Sequence, residues 1–184
     1  MSIKSLTITG YKPHELNIFS ERDEKIKVIK ESLRRKLEYL LDQGLEWVII
    51  SGQQGVETWA FDVVQDLKEQ HDLKLALIPP FLDQEKIWKE DKQEKYEEMT
   101  VLADFYEPLI KRPYEGPKQY FIKNKWLIGK TDACLIIYEE EFGGSPKYFY
   151  DLARKRQQLS NYEIIHINAY DLEDIARELT EGEN

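Results

Sequence analysis

The residues of this chain best equipped for chemistry lie in two glycine-bearing segments. The first is Ser51-Gly52-Gln53-Gln54-Gly55-Val56-Glu57, directly after the apolar run Val48-Ile49-Ile50. An apolar run that ends in Ser-Gly and reopens as a helical pattern is a strand feeding a helix. Gly52 and Gly55 permit positive φ and let a ligand approach the backbone closely. The free N–H groups of the following helix favour an anion at the same spot. Ser51 and Gln53 add polar side chains to that loop. Glu57 has two readings. As an acid in the first helical turn it complements the helix dipole, worth about 0.3–1 kcal/mol. A carboxylate there also competes with phosphate for the same field, so beside a nucleotide it accepts hydrogen bonds from ribose hydroxyls or orients a water. It is the candidate catalytic residue.

The second segment is Glu141-Phe142-Gly143-Gly144-Ser145-Pro146-Lys147. Ser145 as N-cap and Pro146 at the first helical position mark a helix start. Capping leaves Gly143-Gly144 unexplained, and these make a second loop able to cradle an anion. Lys147 in the first turn opposes the helix dipole unless an anion sits there. Two more loops belong with these. Gly10 leaves room where the first strand ends, and Lys12 either places a positive charge over the pocket or is a solvated turn lysine. Arg112-Pro113-Tyr114 offers bidentate phosphate recognition together with a ring and a hydroxyl. Its alternative reading is a proline-stiffened connection carrying one surface arginine. Trp59 reads as core packing ahead of a stacking wall.

The elements that must position these loops alternate along the whole chain. Strands are predicted over 4–9, 46–51, 73–80, 106–110, 133–138 and 163–168. Helices are predicted over 23–42, 56–70, 83–103, 118–129, 146–159 and 171–179, followed by a frayed tail over 180–184. The helix over 83–103 takes Ile87, Trp88, Tyr96, Met99 and Leu102 as its inner face. Near-continuous apolar strands suit burial on both faces, as parallel sheets require. The fold class is therefore α/β, a Rossmann-like three-layer α/β/α sandwich with a mostly parallel sheet. In such a sheet the loop after every strand emerges on the same edge, where ligands bind. Lys12, Arg112 and Lys147 make that edge locally positive, which points to a small anionic ligand.

Composition narrows the classes. A chain of 184 residues suits a single domain over 1–184. A net charge of −9 gives no global attraction to phosphate backbones, so nucleic acid is a disfavoured partner. The one cysteine, Cys134, lies in an apolar run and reads as a small core residue of a reducing compartment. With three separated histidines, His14, His71 and His166, it makes no metal site. No segment approaches membrane-spanning length, so no membrane insertion and a cytoplasmic location are expected. Exposed helices leave a homodimer open.

Five stretches together resemble the YpsA family of bacterial proteins: Ile8-Thr9-Gly10-Tyr11-Lys12-Pro13, Gly44-Leu45-Glu46-Trp47, the Ser51 to Glu57 loop, Arg112-Pro113-Tyr114 and Gly144-Ser145-Pro146-Lys147-Tyr148. That family is similar to the SLOG superfamily, which joins the DNA-processing protein DprA with the LOG phosphoribohydrolases. The resemblance implies a Rossmann-like fold and a nucleotide or nucleotide-derived ligand, with no certain cofactor. The DprA-like order continues in the basic-Asn-basic helix Lys123-Asn124-Lys125, which adds Asn124 to the candidate ligand residues. The Ser-Gly loop is one residue shorter than in DprA, and the basic stripe that holds single-stranded DNA is missing. The longer Gly-rich loop with Thr and a catalytic Glu, typical of LOG enzymes, has no counterpart at that spacing. Three functions follow: a nucleotide-binding sensor or regulatory protein, a hydrolase of an N-glycosidic bond using Glu57, and a DprA-like DNA-handling protein. The acidic charge ranks the last below the others.

Overall fold

Every residue of Ala133–Ile137 (β5) is apolar and buried, which is possible only in a strand covered on both faces. A computed structural model describes residues 2–183 and shows how that covering is built. Met1 and Asn184, the ends of the expected domain, lie outside the described residues.

The chain runs β1 (Ser5–Gly10), α1 (Glu24–Asp42), β2 (Trp47–Ile50), α2 (Val56–Leu67), β3 (Lys74–Leu77), α3 (Glu90–Leu102) and β4 (Phe105–Tyr106). It continues through α4 (Lys118–Lys130), β5, α5 (Lys147–Leu159), β6 (Glu163–Ile167) and α6 (Ala169–Gly182). The strands form one sheet in the order β4-β3-β2-β1-β5-β6. Every pairing is parallel, with Leu6 opposite Val48 on one side and opposite Ala133 on the other. The Rossmann-like α/β expectation is met, and the sheet is wholly parallel.

Alternation along the strands supplies two core layers. Leu6, Ile8, Val48, Leu135 and Ile137 face one layer, filled by Ile29, Leu33 and Leu37 of α1 and by Val56, Ala60 and Val64 of α2. Cys134 and Ile136 face the other, filled by Leu127 and Ile128 of α4 and by Phe149 and Ala153 of α5. Each fully buried Leu or Ile contributes roughly 1.5–3 kcal/mol. Burial pushes the Cys134 thiol up to about 12, so it stays protonated and behaves as a core side chain.

The chain walks outward from β1 to β4, and α4 then carries it back to β5 on the far side of β1. This reversal opens a crevice beyond the carboxyl ends of β1 and β5, where open α/β sheets bind ligands.

Three local expectations change. Residues 83–103 are not one helix: a 3-10 turn, Gln84–Ile87, precedes α3, with Asp83 left-handed at φ 57°. Ile87 and Leu102, expected inside, are exposed, whereas Gln84 is buried because its amide donates to the Ser51 carbonyl at 2.7 Å. The edge strand β4 shortens to two residues, since only Phe105 and Tyr106 pair with β3. The last helix starts earlier than expected, at Ala169, because Asn168 and Asp171 form a capping box, and it runs on to Gly182. Among the described residues no helix is long and apolar enough to cross a membrane.

Candidate functional site

Glu57 stands in the first turn of α2 and reaches back over the loop that precedes it. Its Oε1 accepts hydrogen bonds from Ser51 N at 2.7 Å and Ser51 Oγ at 2.8 Å. Both residues are buried. Glu57 Oε2 has no hydrogen-bond partner among the described residues, and Glu57 lines a cavity of about 320 Å³.

That cavity occupies the crevice at the strand reversal. Thr9, Gly10 and Lys12 enter from the end of β1, and Gln53 and Glu57 from the β2–α2 turn. Tyr120, Phe121, Lys123 and Asn124 come from α4, and Ser145, Tyr148 and Phe149 from the start of α5. Four aromatic rings therefore share a wall with two lysines and one carboxylate.

Lys123 is the unusual member. Gln119, Lys123 and Leu127 recur every four residues along α4 and all are buried, so this lysine occupies a core-facing position. Among the described residues its ammonium has neither hydrogen bond nor ion pair. It lies 6.0 Å from the centre of the Tyr120 ring. Burial pulls its pKa below the ordinary lysine value of 10.5; the charge of Glu57 opposes that shift and the charge of Lys12 adds to it. Asn124, also buried, likewise presents an amide with no side-chain partner among the described residues. Lys125, the second basic residue of that trio, is exposed and lies over Phe121.

Of the residues expected at the site, the structure brings Gly10, Lys12, Gln53, Glu57, Asn124 and Ser145 to this one cavity. Ser51 sits behind it, holding Glu57. Gln53 is braced by its amide donating to Gln84 Oε1 at 3.1 Å. Gly52 and Gly55 line a neighbouring cavity of about 270 Å³ between α2 and α3. The space beside both glycines is taken by the chain itself. A Cβ on Gly55 would lie 2.4 Å from the Tyr11 carbonyl oxygen, and one on Gly52 would lie 2.9 Å from Leu77 and from Tyr96. Their φ values of 93° and 85° are left-handed, so these glycines serve loop closure against Tyr11 and β3.

Ser145 does not cap α5. It donates from N at 2.8 Å and from Oγ at 2.7 Å to the carboxylate of Glu15, which also accepts from Lys12 N at 2.9 Å. The first and last loops of the site are thereby clamped together. Burial would raise the Glu15 carboxyl, but the bonds from Ser145 and Lys12 outweigh it and hold it below the usual range. Tyr11 adds a second tie: its hydroxyl donates to Gly143 O at 2.7 Å and accepts from Glu139 N at 3.0 Å. Gly144 is packed under this clamp, where a Cβ would lie 2.8 Å from both Glu15 and Tyr11.

Three expected residues stand outside. Arg112 is exposed, 3.9 Å from Glu115. Tyr114 is not among the lining residues of the cavity; its ring centre lies 5.2 Å from that of Phe81 and 6.0 Å from that of Tyr120. Lys147 pairs with Asp151 at 2.8 Å, which raises its pKa and answers the unfavourable dipole without a ligand. Sequence reasoning passed over Lys123 and Glu15. The signal for Lys123 was present: a cation at the helix position where apolar residues belong.

The family model described as the YspA SLOG family matches residues 6–172. A UPF0398 protein of Oceanobacillus iheyensis is 49% identical over 177 residues, covering 96% of this chain and 95% of its own. One from Lysinibacillus sphaericus is 52% identical over 173 residues, covering 94% and 97%. One from Halalkalibacterium halodurans is 46% identical over 177 residues, covering 96% and 94%.

Proposed function

Because this chain belongs to the YspA SLOG family, we propose that its larger cavity binds a nucleotide or nucleotide-derived anion and that the protein acts as a sensor or regulator in bacterial cells. One observation carries the reading: a cavity at the strand reversal joins the cations Lys12 and Lys123 to a wall of Tyr120, Phe121, Tyr148 and Phe149. A flat, uncharged ligand would leave the lysines unused, and a simple inorganic anion would leave the rings unused. Among the described residues Glu57 Oε2 is an acceptor without a donor, suited to ribose hydroxyls. A volume near 320 Å³ is at the small end of ligand pockets and fits a mononucleotide-sized molecule. A DprA-like role is opposed by the net charge of −9, and the cytoplasm fits a chain with one buried free thiol.

A second reading, cleavage of an N-glycosidic bond, is favoured by that same Glu57 oxygen, which is free to stabilise positive charge at a sugar carbon. Among the described residues no second carboxyl lines the cavity, so it lacks the paired carboxyls usual in glycosidic cleavage, and the binding reading ranks first. Native mass spectrometry of protein purified from cells tests it. The expected result is a retained adduct of nucleotide mass. A protein that carries none, and that binds no member of a nucleotide panel by calorimetry, overturns it.

A further inference from the structure

If the cavity holds a nucleotide, as proposed above, its charge selection falls to one residue. A largely desolvated ammonium is costly unless it is paired, yet Lys123 is 7% exposed and its ammonium has neither hydrogen bond nor ion pair among the described residues. Glu57, the carboxylate that shares the cavity, has committed one oxygen to Ser51 and forms no ion pair with the lysine. Lys12, arriving from the loop after β1, adds a second positive charge. Two lysines against one carboxylate leave the lining of the cavity with a net positive charge.

We propose that Lys123 is the specificity-determining residue of this cavity, seating a phosphate-class anion and selecting a phosphorylated nucleoside over the uncharged nucleoside. The charges also orient the ligand. Glu57 repels an anion, so the phosphate approaches Lys123 from the side of Lys12, with the Asn124 amide as an additional donor. The hydroxyl-bearing end of the ligand then meets Glu57 Oε2. Burial makes Lys123 a weaker base, and a bound anion favours its protonated form, so binding is coupled to proton uptake by this lysine.

A purely structural role makes the opposite demand. If Lys123 served only to offset Glu57, replacing it would destabilise the fold and leave the ranking of ligands alone. The test compares adenosine with adenosine 5′-monophosphate by titration calorimetry on the parent, Lys123→Met and Lys123→Arg. Lys123→Met is expected to weaken the monophosphate by about 10- to 150-fold, the range for losing a hydrogen bond to a charged group. Adenosine should change by less than about 3-fold, and the thermal midpoint should not fall. The parent should lose monophosphate affinity at alkaline pH, whereas Lys123→Arg, which stays charged, should not. A folded Lys123→Met that binds the monophosphate as the parent does, or that loses both ligands equally, overturns the proposal. Should the variants fail to fold, a parent profile flat to alkaline pH overturns it as well. A parent that binds neither ligand removes the nucleotide reading and this assignment together, whereas monophosphate binding indifferent to Lys123 removes only the latter.

Discussion

Glu57 and Ser51 close the β2–α2 loop on each other: one carboxylate oxygen takes both the Ser51 N–H, at 2.7 Å, and the Ser51 hydroxyl, at 2.8 Å. The other oxygen is left to the cavity. Structure and ligand chemistry are thus divided between the two atoms of a single group. Any experiment on Glu57 must separate the two.

Glu57→Ala should destabilise the protein by about 1–3 kcal/mol, because a buried N–H and hydroxyl lose their acceptor. Urea unfolding measures this, and Ser51→Ala, which removes only the hydroxyl, should cost less. Equal midpoints for parent and Glu57→Ala would show that the loop does not depend on this pair.

Gly55→Ala should destabilise through backbone geometry alone. The φ of 93° is foreign to residues with a side chain, and the added Cβ would press on the Tyr11 carbonyl at 2.4 Å. A strained backbone of this kind costs about 1–3 kcal/mol before the clash is counted. For a chain of this size the melting temperature should drop by roughly 2–12 °C. A drop below about 1 °C would mean that the loop moves freely aside.

The two glycine loops show what was legible in the sequence and what was not. Strand, glycine turn and helix start could be read because each has a local cause: apolar runs, positive φ, the proline at 146. The parallel sheet followed from alternation of elements, and with it the edge where the loops gather, but the order of the strands came only with the structure. Long-range partners left no local trace. Nothing in Ser145-Pro146 says that the serine bonds to Glu15, 130 residues away, and so it read as a cap. Lys147 is the local exception: Asp151, one turn further on, answers its charge at 2.8 Å, so the position needs no anion. Gln84 falls within the helix predicted over 83–103 but outside its expected inner face, because its partner, the Ser51 carbonyl, lies on another strand's loop.

The Glu15 clamp should make the site labile to acid. Its carboxyl is held below the ordinary value of 4.5 by the hydrogen bonds that join Lys12 to Ser145. A depressed carboxyl contributes stability in full above the unfolded value and loses it as pH falls through the folded one. The difference in unfolding free energy between parent and Glu15→Gln should therefore be constant near neutral pH and shrink below about pH 4.5. A difference that holds unchanged into strong acid would exclude the carboxylate as the clamp.

Glu57→Gln decides between sensor and enzyme. The amide keeps an oxygen that can accept from Ser51, so the loop survives the change in a way that it does not with alanine. What is lost is the second acceptor and the negative charge. If Glu57 Oε2 binds ribose hydroxyls, affinity for adenosine 5′-monophosphate should weaken by about 1–3 kcal/mol, and no free base should appear with either protein. If the carboxylate instead stabilises a cleaving sugar, binding should hold or tighten as repulsion of the phosphate disappears. A slow release of adenine by the parent should then fall by about 10²–10⁴-fold in the variant. The absence of a second acid among the cavity-lining residues favours the first outcome. Long incubation of both proteins with the nucleotide, followed by chromatography for freed base, reads the answer directly: adenine released by the parent and missing with Glu57→Gln would make this protein a hydrolase.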